Sequence, residues 1–169
     1  MSFETKMALL FSAGAVCTDL LYHKVPNNWI FLGFFTGLAC KLGRFGIKGI
    51  FSFSEGMLIP FCLLFPLFLF RMMGAGDIKL LTVLGGFLGR AEILEGMFCI
   101  FLLGAVLSAA FLITCGNVAE RFRYFCDYMA GFGAGNGITP YGKQGSCVEN
   151  MHFTVPILLG LMLHAGGVY

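Results

Sequence analysis

Two aspartates stand where carboxylates are expensive. Asp19 lies in Thr18-Asp19-Leu20-Leu21-Tyr22-His23-Lys24-Val25-Pro26-Asn27, and Asp77 in Gly74-Ala75-Gly76-Asp77-Ile78-Lys79, each at the edge of a long apolar run. An ionisable group set against hydrocarbon is costly and marks a functional site by default. Two carboxyls close enough to share a proton cannot both ionise cheaply, so one stays protonated while the other serves as a base. Such a pair can activate a water. The ionised member takes the water's proton and the neutral member polarises a carbonyl, with no metal or covalent intermediate needed. That is the chemistry of an aspartic protease, here at a membrane. Gly74 and Gly76 suit the second half of such a site, because missing side chains let a substrate backbone approach Asp77 and permit backbone angles closed to other residues.

Each of these residues also has a plainer reading. An aspartate at a helix N-terminus, as Asp77 would be, often only caps the helix and meets its dipole. Lys79, two residues further on, points elsewhere on a helix, where it would snorkel to headgroups or touch substrate. His23, His152 and His164 are scattered and form no metal-binding pattern. The seven cysteines stand singly, with no C-x-x-C pair, and read as small buried hydrophobes rather than disulfides or zinc ligands. No metal and no cofactor is expected.

The elements that must position the aspartates follow from composition. Hydrophobic residues make up 58% of the 169, charged ones only 12%, and phenylalanine alone occurs twenty times, which is too apolar for an ordinary soluble domain. The expected class is all-α, a polytopic membrane protein forming one domain over 1–169. A formal charge of +2 without a Lys/Arg block speaks against a nucleic-acid partner. The N-terminus lacks a clear positive region, and Val16 before Cys17 spoils a small-residue cleavage site, so it reads as a span rather than a signal peptide.

Runs able to cross ~30 Å of hydrocarbon fall near 4–22, 28–43, 53–72, 77–90, 93–115 and 152–168, giving about six spans. Pro26 stops the first, and the Asn27 side chain can cap the second. Trp29 then falls just inside the second span, at headgroup level, and Pro60 and Pro66 predict a kink in the third. Two complete crossings separate Asp19 from Asp77, so both must return to the same face. With the N-terminus outside, six Lys/Arg fall inside and five outside, a weak positive-inside bias that Lys41, Arg44 and Lys48 oppose. This orientation puts both aspartates at the cytoplasmic edge. In the polar stretch 116–150, Val118, Phe122, Phe125 and Met129 predict an interfacial amphipathic helix. Six glycines between Gly131 and Gly145 predict a flexible loop, expected to close over the site.

The two motifs together, Asp19 followed by Val25-Pro26-Asn27 and Gly74-Ala75-Gly76-Asp77-Ile78-Lys79-Leu80-Leu81, resemble the paired signatures of the type IV prepilin peptidase family, a group of GxGD-type aspartic membrane proteases. The order of the motifs and the number of spans agree with that resemblance. It implies that Asp19 and Asp77 are the catalytic pair, and that Gly74, Gly76, Lys79, Pro26 and Asn27 shape the motifs or meet the substrate. It further implies an endopeptidase in the cell membrane that removes the leader from prepilins or pseudopilins at the cytoplasmic face. Longer members carry an N-terminal region with paired C-x-x-C motifs and methylate the new terminus. Without that region, this chain is similar to the short forms of Flp/Tad-type pilus systems, and no methylation is expected. Presenilin-like proteases share the GxGD element but have a Tyr-Asp first motif, whereas Thr18 precedes Asp19 here. The competing reading is a non-catalytic scaffold or transporter subunit whose aspartates cap helices or bind a cation.

Overall fold

The computed structural model describes residues 2–22, 24–70, 73–114, 123, 126 and 152–167. Apart from residues 123 and 126, the interfacial helix and glycine-rich loop expected at 116–150 lie outside the described residues, as does His23. Among the described residues the architecture is all-helical, with six helices: α1 (Phe3–Tyr22), α2 (Asn27–Phe45), α3 (Ile47–Leu69), α4 (Ala75–Leu88), α5 (Arg90–Thr114) and α6 (Thr154–Ala165). Ile47–Leu69 and Arg90–Phe111 are long and apolar enough to cross a membrane. Their outward faces stay apolar, with Leu58 60% and Phe98 72% exposed. Exposed apolar area on that scale marks a surface built for contact with something other than water.

Consecutive helices reverse direction at each crossing where close contacts reveal their register. Gly14 meets Trp29 and Gly33 meets Phe11 between α1 and α2, while Gly37 meets Phe53 and Gly49 meets the Lys41 carbonyl between α2 and α3. Gly56 and Gly85 bring the backbones of α3 and α4 into direct contact, with Pro60 lying over Gly85. Ile100 packs on Gly160 and Gly104 on Phe153, so α5 and α6 are antiparallel as well. Glycine is needed at these crossings because a Cβ would meet a neighbouring ring or backbone.

α4 is the central element. It has 14 residues, about 21 Å of helix, and every residue from Leu80 to Leu88 is buried. A helix apolar on all sides belongs in the interior, and α1, α2, α3 and α5 all pack against this one. Phe11 of α1 links α2 and α4, stacking on Trp29 at 5.7 Å and tilting against Phe87 at 5.8 Å.

Three expectations change. Trp29 sits in the α1–α2 interface, where its indole N–H donates to the Phe11 carbonyl at 3.2 Å. The α2–α3 turn is a single residue, Gly46 at φ 58, a left-handed conformation glycine adopts without strain. Lys41 and Arg44 therefore belong to α2 rather than to an external loop. Both reach Glu4 in the first turn of α1, at 3.9 and 3.3 Å, and Lys41 is only 5% exposed. Two of the cations that opposed the positive-inside bias are thus paired. The cysteines in the helices are free but not buried: Cys17 and Cys62 are exposed, and Cys40 and Cys99 half-buried. They line the outer faces, so small size in the core does not explain them.

Candidate active site

Alternating helix directions collect the end of α1 and the starts of α2, α4 and α6 at one end of the bundle; Glu4, Lys41 and Arg44 lie at the other. Asp19 belongs to the last turns of α1 and is 8% exposed. It faces α6. Thr154 Oγ1 donates to Asp19 Oδ2 at 2.7 Å, and His152 Nδ1 lies 2.9 Å from the same oxygen. Thr154 is fully buried. Asp19 Oδ1 makes no hydrogen bond among the described residues.

Asp77 occupies the third position of α4, behind the cap residue Gly74. Its half-buried carboxyl makes no hydrogen bond among the described residues, and α4 has no side-chain cap. The groups whose charge reaches it are Asp19 and His152. The two carboxyls are thus within electrostatic reach of each other, and His152, in contact with Asp19, acts on both sides of the pair.

The glycines act by space alone. Gly74 adopts φ −68, ψ 141, an extended conformation open to any residue, and Gly76 is helical. The expectation of unusual backbone angles does not hold for either. A Cβ on Gly74 would stand 3.1 Å from Asp77 Oδ2, whereas one on Gly76 would meet nothing within 4 Å. One glycine makes room for the carboxyl, and the other leaves its approach open.

The first motif is built differently from expectation. Pro26, not Asn27, is the cap residue of α2, without a side-chain cap bond, and its carbonyl accepts from the Trp29 amide at 3.0 Å. Asn27 Oδ1 instead accepts a 3.0 Å hydrogen bond from Lys79 Nζ, tying the α1–α2 turn to the first turns of α4. Lys79 thus has a protein partner at an exposed position.

His152 and Thr154 were the residues to miss, because histidines judged one by one look scattered. Carrying the alternation of spans through to the sixth would have put the start of α6 on the face shared by Asp19 and Asp77.

The sequence model of the type IV leader peptidase family matches residues 7–114, well over half of the chain. The chain belongs to the type IV leader peptidase family. Both aspartates and both glycines of the second motif fall inside the matched stretch, while His152 and Thr154 fall outside it. Comparison with curated proteins and with solved structures gave no match. Membership implies a peptidase, at the level of a type IV leader peptidase-like aspartic protease.

Proposed function

We propose that the chain is a multi-pass endopeptidase of the cell membrane that removes the leader from a prepilin or pseudopilin at the cytoplasmic face. Asp19 and Asp77 form its catalytic pair, and 1–169 acts as one peptidase domain. The observation that carries this reading is the Asp77 carboxyl, half-buried within electrostatic reach of Asp19 yet free of any cap hydrogen bond among the described residues. A merely structural aspartate in the first turn would be expected to satisfy helix amides. Here that job is left undone, and the charge of a second acid reaches the carboxyl.

In this reading a water sits between the two carboxyls. The ionised one accepts its proton as it attacks the scissile carbonyl, and the neutral one donates a hydrogen bond to the carbonyl oxygen as negative charge develops there. Collapse of the tetrahedral adduct returns a proton to the leaving amine. The open side of Gly76 accommodates an unwound substrate backbone, which a helix must become before it is cut. The apolar outer faces of α3 and α5 sit in lipid beside the apolar N-terminal helix of the substrate.

The test is direct. The full-length protein in liposomes, incubated with a prepilin that retains its leader, is expected to release an intact leader peptide detectable by mass. An intact prepilin after prolonged incubation with folded protein would overturn the assignment.

A further inference from the structure

The Asp19 carboxyl is held asymmetrically. Thr154 Oγ1, in the first turn of α6, donates to Oδ2, and His152 Nδ1, from just before that helix, lies 2.9 Å from the same oxygen, while Oδ1 is left without a hydrogen bond among the described residues. The last torsion of an aspartate is broad and nearly two-fold, so an unheld carboxyl would present either oxygen in either plane. A 2.7 Å O–H···O contact to a carboxyl is in the short, strong range. With two partners on one oxygen, the plane is set and the remaining oxygen is singled out.

We propose that Thr154 and His152 are positioning residues that clamp Asp19 through Oδ2, so that only Oδ1 faces the water and Asp77. Thr154 supplies a buried O–H that can only donate to the carboxylate, and His152 donates through a protonated Nδ1. A proton resting on Asp19 must then sit on Oδ1, the oxygen able to exchange it with the water. The charge of His152 also reaches Asp77. α6 thus completes a site whose aspartates come from α1 and α4, although it lies outside the stretch matched by the family. This assignment rests on Asp19 and Asp77 being the catalytic pair.

Satisfying a buried carboxyl could also be purely structural, and variants separate the two roles. Thr154→Val keeps the shape and loses the hydroxyl; Thr154→Ser keeps the hydroxyl. His152→Asn retains a donor near the Nδ1 position, and His152→Leu removes it. Prepilin cleavage by each full-length variant in liposomes is measured per folded molecule, with Asp19→Asn and Asp77→Asn alongside. Misplacing a catalytic group by a fraction of an ångström to 1 Å costs roughly 10- to 100-fold. Thr154→Val and His152→Leu are therefore expected to lose that much kcat with KM within about twofold, while Thr154→Ser and His152→Asn recover most of it. Wild-type kcat in Thr154→Val or His152→Leu, with both Asn variants inactive, would overturn the clamp and leave the dyad standing. Equal losses in Thr154→Ser and Thr154→Val would also overturn it, since shape rather than the hydroxyl would then matter. Full activity in Asp19→Asn or Asp77→Asn would remove the dyad itself and the clamp with it.

Discussion

Replacing Gly74 by alanine is expected to slow cleavage without harming the fold. Its backbone conformation suits any residue, and restricting the unfolded chain favours folding by about 0.4–1 kcal/mol. The added methyl would lie 3.1 Å from Asp77 Oδ2, where ordinary contact begins at 3.4 Å, so the carboxyl must yield by about 0.3 Å. If 1 Å of misplacement costs ~100-fold, about 0.3 Å corresponds to ~0.8 kcal/mol, or roughly fourfold in kcat. Rotation of the carboxyl, in place of translation, would carry the loss toward tenfold. Gly76→Ala is the control: nothing lies within 4 Å of its Cβ, and alanine gains roughly 0.5–1 kcal/mol within a helix. Since that open side is where substrate would pass, KM should rise while kcat holds. Initial rates of leader release over a range of prepilin concentrations, with melting temperatures in detergent, read both effects. Wild-type kcat in Gly74→Ala would refute the claim that this glycine makes room for the Asp77 carboxyl.

Two further exchanges probe the frame. Gly85→Ala would drive a methyl against the Gly56 carbonyl oxygen and to 2.9 Å from Pro60 Cγ; separating α3 from α4 should cost about 1–3 kcal/mol, seen as a lower melting temperature, and an unchanged melt would contradict the close crossing. At the opposite end, Glu4→Gln strips the buried Lys41 of its ion-pair partner and should cost ~3 kcal/mol. Arg44→Gln, at a half-exposed position, should cost less than ~1 kcal/mol. Equal shifts in the two melts would mean that Lys41 does not depend on Glu4.

Much of the frame could be read before any coordinates, because apolar runs and helix breakers report directly on spans. Two expected crossings between Asp19 and Asp77 call for a common face, and the alternating helices put both residues at one end of the bundle. The turn at Gly46 was harder, since a single left-handed glycine can join two helices with no polar loop to announce it. That concealed the Glu4–Lys41–Arg44 cluster, which depends on residues about forty positions apart. The exchange of partners at Asn27 was hidden for a similar reason: its oxygen serves either as a local cap or as an acceptor for Lys79, and only packing decides. The approach of His152 and Thr154 to Asp19, more than 130 positions away, carries no local periodicity at all.

The central claim is that two carboxyls act as one unit. Cleavage by Asp19→Asn, Asp77→Asn and the double variant, each per folded molecule in liposomes, tests it most directly. Each single exchange should lower kcat by roughly 10³-fold or more, and the double variant should be no worse than the weaker single one, because residues that act together are strongly non-additive. Leader release at the wild-type rate by either single variant, or a double loss equal to the product of the two single losses, would contradict the shared-pair account.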